Sequence, residues 1–191
     1  MNVSDLSGSW PVIGEFTTPS RDENVKQQSY DISALNILVL EKHVLIRKLL
    51  TDVFREFGVP TVQSTPEPDK AWMFFQQFPA DIILCDWCPE LDGMDFLRRV
   101  RQDPDTPNPC VPVIVVTANT ELRHVTTARD NGMTESLAKP ISARTIYQRI
   151  CNVIEGSRPF VRANDFFGPD RRRRGAGEGH MGQDRRRMGG R

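Results

Sequence analysis

The sequence predicts an α/β protein built on a doubly wound parallel sheet. Five short apolar segments, rich in Ile, Leu and Val, are too short for helices and suit strands buried on both faces. Each is followed by a longer segment in which apolar residues recur at helical spacing. Strands that alternate with helices in this way form a parallel sheet with helices on both faces.

The individual elements follow from these patterns and from the turn residues between them. The predicted strands are 35–40, 59–64, 81–86, 111–116 and 136–138. Proline is tolerated near the start of a strand, so Pro112 does not argue against the fourth. The helices that follow the strands are predicted to end at Gly58, Pro79, Arg101, Gly132 and Gly156. Ser142 is the expected N-cap of the last helix.

Composition divides the chain into three parts. Residues 1–33 are polar and lack a helix or strand period, so we expect a disordered leader. Residues 34–156 form the domain, and residues 157–191 an Arg/Gly-rich disordered tail. The formal net charge of the whole chain is zero, but residues 1–156 carry −6 and residues 157–191 carry +6. The pattern therefore predicts an acidic domain with a basic tail.

Several classes of protein are excluded. No apolar run approaches 18 residues, and the N-terminus lacks the features of a signal peptide, so we expect a cytoplasmic protein without a membrane span. Cys85 and Cys88 make a single CxxC without a second pair at zinc spacing. Cys85 falls within a strand, which favours a small buried hydrophobe over redox chemistry.

Reactive side chains follow four of the predicted strands. Asp86 ends the third strand, and Glu41, Thr117 and Lys139 follow the first, fourth and fifth. The carboxyl ends of parallel strands meet at one edge of the sheet, where open α/β proteins bind ligands. Two carboxylates, a hydroxyl and an ammonium are therefore expected in one crevice. A carboxylate placed there is a candidate nucleophile or metal ligand.

Over about residues 34–155, the sequence resembles a bacterial response-regulator receiver domain of the CheY-like, flavodoxin-like fold. The matching motifs are Ile-Leu-Val-Leu-Glu41-Lys42, Ile-Leu-Cys-Asp86-Trp, Val-Ile-Val-Val-Thr117-Ala118 and Leu-Ala-Lys139-Pro140. The resemblance implies the strand order 2-1-3-4-5. It also implies that a sensor histidine kinase or phosphotransfer protein phosphorylates an aspartate, with Mg2+ as cofactor.

The resemblance assigns a role to each matching residue. Asp86 would accept the phosphoryl group, while Lys139 and Thr117 would neutralise and hydrogen-bond its oxygens. Movement of Thr117 toward the new charge would be the switch. Lys139-Pro140 matches a cis peptide bond of the family. The metal ligands would be Glu41, Asp86 and the backbone of Cys88.

Two residues and one loop depart from the family pattern. Lys42 replaces a carboxylate that touches the metal, and a like charge about 4 Å away costs about 4 kcal/mol at an effective dielectric near 20. The loop Asp86-Trp87-Cys88-Pro89 is one residue shorter than usual, which weakens the backbone ligand at Cys88. Ser136 replaces an aromatic residue that reports activation. Either Lys42 substitutes for part of the metal's charge, or it ion-pairs with Asp86 and fixes one state.

The remaining polar residues are assigned to solvent or to partners. His43 is interpreted as a solvated loop residue and His124 as an exposed helix residue. The Arg clusters are expected to be a solvated tail rather than a specific nucleic-acid ligand, while Phe160, Phe166 and Phe167 fold back or dock into a partner. By analogy, an unidentified downstream protein would contact the fourth helix, fifth strand and last helix. This surface includes Arg123, Met133, Tyr147 and Gln148.

We therefore predict a single-domain response regulator rather than an enzyme. It would accept a phosphoryl group on Asp86 and signal by protein–protein contact. The alternative is a phosphorylation-independent pseudo-receiver scaffold that presents its basic tail to an acidic partner or nucleic acid.

Overall fold

The computed structural model describes residues 30–119, 121–156, 158–163 and 166–170. The strands are β1 Asn36–Leu40, β2 Thr61–Thr65, β3 Ile82–Asp86, β4 Val113–Thr117, β5 Glu135–Ala138, β6 Phe160–Ala163 and β7 Phe166–Pro169. The helices are α1 Val44–Glu56, α2 Pro68–Gln77, α3 Gly93–Gln102, α4 Leu122–Asp130 and α5 Ala143–Glu155.

The first five strands form one parallel sheet in the order β2-β1-β3-β4-β5. This is the doubly wound α/β fold that the sequence predicts, and the prediction is confirmed. The bounds of β4 differ slightly, because Pro112 has no N–H for the ladder and the strand begins at Val113. Ser142 caps α5 as predicted, and Thr145 completes a reciprocal capping box with it.

Alternation along the strands divides the core into two layers. Leu38 and Leu40 of β1 face the layer that contains Trp72 of α2 and Leu97 of α3. The intervening Ile37 faces the other layer, whose further members include Phe54 of α1 and Ile150 of α5. Since both faces are buried, these strands consist of nearly continuous apolar residues. Polar side chains therefore lie at the carboxyl ends of the strands, beyond these apolar residues.

The prediction of a disordered tail over 157–191 is wrong for part of that range. Strands β6 and β7 pair antiparallel and form a two-stranded sheet. The hairpin packs on the domain. The guanidinium of Arg101 lies 5.1 Å from the ring centroid of Phe160. Gly168 lies so close to Gly132 that a Cβ added at Gly168 would clash with the Cα of Gly132. Phe160 thus folds back onto the domain. The Arg clusters of 171–191 lie outside the described residues.

The predicted disordered leader also needs correction at its end. Ile32 is buried in the core layer between the sheet and the helices α1 and α5. The Tyr147 hydroxyl of α5 accepts a hydrogen bond from the Tyr30 N–H at 2.9 Å and donates one to the Tyr30 carbonyl. An apolar side chain and two hydrogen bonds therefore hold residues 30–33 on the domain. Residues 1–29 lie outside the described part of the chain.

Candidate functional site

The strand register brings the predicted site residues to one edge of the sheet. Asp86 is the last residue of β3 and lies opposite Val116 of β4, whose next residue is Thr117. Glu41 directly follows β1, and Lys139 directly follows β5. The backbone N–H of Lys139 donates to the Thr117 carbonyl at 2.9 Å, which aligns the ends of β4 and β5.

Lys139 joins the two carboxylates. Its Nζ lies 2.8 Å from Asp86 Oδ1 and 3.0 Å from Glu41 Oε2. Both carboxylates are buried, and 14% of the Lys139 side chain is exposed. Burial lowers the pKa of the Lys139 ammonium, but the contacts with Asp86 and Glu41 raise it by more, so the pKa lies above its ordinary value. The cluster therefore carries a retained positive charge beside the candidate nucleophile.

The peptide bond between Lys139 and Pro140 is cis, as the resemblance to receiver domains implied. Thr117 is buried, and its Oγ1 accepts a hydrogen bond from the Asn119 N–H at 3.0 Å. Thr117 also lines a cavity of about 280 Å³ together with Trp87, Cys88 and Asn119. This cavity thus leaves room beside the Thr117 hydroxyl for a group that is not part of the protein.

The family of the chain follows from its similarity to known proteins. The model of the family described as "Response regulator receiver domain" matches residues 37–151, more than half of the chain. The chain belongs to the response regulator receiver domain family. As a receiver domain it is a signalling module of two-component systems, and such domains generally bind Mg2+ and interact with histidine kinases or phosphotransfer proteins.

Individual relatives agree with this assignment. Chemotaxis protein CheY-3 of Vibrio cholerae is 22% identical over 122 residues, covering 63% of this chain and 92% of the relative. Chemotaxis protein CheY of Pseudomonas aeruginosa is 24% identical over 122 residues, covering 63% and 97%. The crystal structure of a putative response regulator from Chloroflexus aurantiacus is similar in fold, with a TM-score of 0.57 and 24% identity, covering 63% of this chain and 98% of that structure. None of the helices described here is long and apolar enough to cross a membrane.

The loop after Asp86 in this receiver domain is a tight turn. Cys88 and Leu91 exchange backbone hydrogen bonds at 3.1 and 3.2 Å, so the Cys88 carbonyl already accepts from the Leu91 N–H. Asp92 caps α3 by accepting from the N–H groups of its first turn. A Cβ at Gly93 would collide with the Asp86 carbonyl, so this position requires glycine for close approach.

The side chain of Cys88 lies on the Asp86 side of this turn. Burial and then the contact with the Asp86 carboxylate raise the pKa of the Cys88 thiol to about 11. One ligand atom from each of His43, Asp86 and Cys88 lies within 4.8 Å of the others. Sequence reasoning gave Cys88 a role through its backbone; the structure also brings its sulfur to the site.

Lys42 and Ser136 occupy positions that the sequence analysis singled out. Lys42 is exposed, and its backbone N–H lies 3.5 Å from Asp86 Oδ2. Within the described ranges, the side-chain cation that contacts Asp86 is Lys139, so the ion pair between Lys42 and Asp86, the second of the two alternatives, is not formed. Ser136 is partly buried in β5 opposite Val115.

Both histidines near the site differ from their interpretation. His43 has 54% of its side chain exposed, but its Nδ1 lies 3.1 Å from Glu41 Oε1, so it is not merely solvated. His124 lies in α4, as predicted, but the prediction that it is exposed is wrong, because only 30% of its side chain is exposed. Its ring lies 5.2 Å from that of Trp87 and its Nε2 is 3.2 Å from the Asn119 amide nitrogen, which places it at the wall of the cavity. The one available signal was the position of His124 soon after Thr117-Ala118-Asn119.

Proposed function

We propose that this receiver domain is a single-domain response regulator that accepts a phosphoryl group on Asp86. The contact that carries the proposal is the 2.8 Å distance between Lys139 Nζ and Asp86 Oδ1, at the carboxyl end of β3. An ammonium in this place stabilises the negative charge that develops on a transferring phosphoryl group. Burial of the pair strengthens that interaction, because less water screens it.

The donor is a phosphohistidine of a sensor histidine kinase or phosphotransfer protein. A carboxylate oxygen of Asp86 attacks phosphorus, the P–O bond of an acyl phosphate forms, and the P–N bond of the donor breaks. The electron pair of that bond returns to the donor imidazole, which takes up a proton. Lys139 then shares its hydrogen bonds between the phosphoryl oxygens and Glu41.

Thr117 couples the new group to the rest of the fold. Its hydroxyl now donates to the Asn119 carbonyl at 3.5 Å, and a phosphoryl oxygen offers it a charged acceptor instead. Rotation of Thr117 toward the phosphoryl group changes the loop before α4. Ser136 is too small to report this movement in the way of an aromatic side chain, and the change passes through Asn119 of the loop to His124 of α4.

The proposed partner surface comprises α4, β5 and α5. Arg123 and Gln148 are exposed on it, and Met133 is partly buried beside it. Tyr147, which we expected on this surface, is held by the backbone of Tyr30. Residues 30–33 therefore cover part of the face, and the downstream protein contacts the remainder.

The donor set for Mg2+ is incomplete in this chain. Mg2+ prefers six oxygen ligands in octahedral geometry. Glu41 and Asp86 supply carboxylates, but the Cys88 carbonyl already accepts from the Leu91 N–H, and Lys42 offers no oxygen from its side chain. We infer that the described residues do not fit the Mg2+ site of the family, and phosphorylation depends on Lys139 more than on the metal.

Treatment of the full chain with acetyl phosphate, followed by intact-mass measurement, tests the proposal. We expect a mass gain of one phosphoryl group with and without Mg2+, and its loss in Asp86→Asn. Asp95→Asn is the matched control, because Asp95 is an exposed carboxylate that pairs with Arg98. Absence of an adduct under every metal condition would instead favour a phosphorylation-independent scaffold.

A further inference from the structure

We propose that His43, Asp86 and Cys88 form a binding site for a zinc-class divalent ion at the phosphoacceptor. The three residues come from two loops and a strand end: His43 precedes α1, Asp86 ends β3, and Cys88 lies in the turn that follows. Binding at this site needs no phosphorylation. Its consequence for signalling, described below, rests on the proposed function.

The geometry is near that of a tetrahedral site. The three ligand atoms lie within 4.8 Å of one another. Bond lengths of about 2.0 to 2.3 Å to zinc place ligand atoms roughly 3.5 Å apart, so the three atoms must approach by about 1 Å. Asp86 is fixed by the sheet, whereas His43 and Cys88 lie in loops. His43 is exposed and Cys88 is partly buried. The loops can therefore close on an ion that the strand holds.

The chemistry of the donors selects the metal. One nitrogen, one oxygen and one sulfur donor suit Zn2+ or Co2+, whereas Mg2+ takes oxygen ligands almost exclusively. The substitution that harms an Mg2+ site, Lys42 for a carboxylate, removes no ligand from this set. A fourth position remains for water or a partner's group, as in zinc sites with three protein ligands.

Glu41 gives independent support. Its Oε1 accepts from the His43 backbone N–H at 2.8 Å and lies 3.1 Å from His43 Nδ1. A metal-binding histidine is commonly oriented by a carboxylate on the ring nitrogen that does not coordinate, so the proposal places the ion on His43 Nε2. The second oxygen of Glu41, Oε2, is buried and lies 3.0 Å from the ammonium of Lys139. Glu41 thus holds the histidine and adds negative charge beside a cation.

An ion bound here would occupy the carboxylate that attacks phosphorus. His43 and Cys88 drawn onto the ion would cover the Asp86 carboxylate and block the approach of the phosphodonor, so the metal-bound protein would accept a phosphoryl group slowly. The site would then make the response of this receiver domain depend on metal. This consequence fails if Asp86 is not phosphorylated, but metal binding itself does not.

Titration of the full chain with Co2+ in a thiol-free buffer tests the site. We expect one equivalent to bind and produce the near-ultraviolet charge-transfer band of a thiolate–cobalt bond, and Zn2+ to displace it. Cys88→Ser should abolish the band, and His43→Gln should weaken binding at least tenfold. Matched controls are Cys110→Ser, which removes an exposed thiol, and His124→Gln, both with unchanged titrations.

The outcomes separate the two proposals. A wild-type protein without the band, or a band that persists in Cys88→Ser, would overturn the metal site. The acetyl phosphate assay, run without Co2+, tests phosphorylation separately. If both proposals hold, one equivalent of Zn2+ should slow phosphorylation of the wild type at least tenfold, with little effect on Cys88→Ser. Equal slowing in both proteins would contradict metal control through Cys88.

Discussion

Two cations, the partly buried Lys139 and the buried Arg101, are held in opposite ways. Lys139 contacts two carboxylates, and its pKa lies above its ordinary value. Arg101 is 1% exposed, and it donates to the carbonyls of Gly132, Pro109 and Val111 at 2.7 to 2.9 Å. Its partners carry no formal charge, so burial lowers the pKa of its guanidinium to about 10.

The difference distinguishes a reactive site from a structural anchor. The carboxylates around Lys139 leave net negative charge, which an incoming group or ion can rearrange. Arg101 connects α3, the strand-entry loops and the hairpin through fixed carbonyls and the ring of Phe160. We therefore expect substitutions of Lys139 to change chemistry and those of Arg101 to change stability.

The largest expected effect is that of Lys139→Met on phosphorylation. Removal of one preorganised charge-stabilising group typically lowers a rate by about 10² to 10³. The rate of adduct formation from acetyl phosphate, followed by mass spectrometry, measures this loss. Lys48→Met, which removes an exposed lysine paired with Asp52, is the control and should keep the wild-type rate. A Lys139→Met rate within threefold of wild type would show that Lys139, like Arg101, does not act in the chemistry.

The next effect is that of Arg101→Met on stability. The substitution removes hydrogen bonds to two buried carbonyls and one partly buried carbonyl, so the free energy of unfolding should fall by about 3 kcal/mol. Urea denaturation measures it. Arg98→Met removes an exposed arginine from the same helix and should cost less than about 1 kcal/mol. Equal costs for the two variants would mean that Arg101 is not an anchor.

A third cation, Lys42, sharpens the contrast because it is exposed. Lys42→Asp replaces an ammonium with an oxygen donor beside Glu41 and Asp86, so Mg2+ affinity should rise at least tenfold. Isothermal titration of both proteins with Mg2+ gives the ratio. The same affinity in the two proteins would show that residue 42 does not face the metal position.

The contribution of the hairpin to the anchor is smaller. Phe160→Leu keeps an apolar side chain but removes the aromatic face 5.1 Å from the Arg101 guanidinium. We expect a loss of about 1 kcal/mol in the free energy of unfolding, and almost none when the substitution is made in an Arg101→Met background. Additive losses in this double-mutant cycle would show that the ring acts independently of Arg101.

Burial and the neighbouring Asp86 carboxylate raise the pKa of the Cys88 thiol, so its alkylation should depend on pH. The thiolate is the alkylated species, so the rate for Cys88 should reach half its maximum at a pH of about 11 rather than 9. Asp86→Asn should lower that midpoint. Since the unfolded chain releases this proton near pH 9, the thiol makes stability fall as the pH rises from 9 to 11. Peptide mapping after iodoacetamide measures the rate; a midpoint near 9 would contradict the burial of Cys88 against Asp86.

The sheet and the crevice could be predicted because local patterns encode them. Apolar runs that end in Asp86, Thr117 and Lys139 specify both the strands and the edge at which their last residues meet. The hairpin was missed because its strands have four residues each and its contacts are distant in sequence, as between Gly168 and Gly132. His124 was misplaced because periodicity gives a helix face but not the rotation of α4 against the loop of Trp87.

The most direct test of the account is to locate the phosphoryl group chemically. Borohydride reduces an aspartyl phosphate to homoserine, which peptide sequencing by mass spectrometry assigns to one position. The account predicts homoserine at position 86 after treatment with acetyl phosphate, at the carboxylate that contacts Lys139. Homoserine at another acidic residue, or at none, would contradict it.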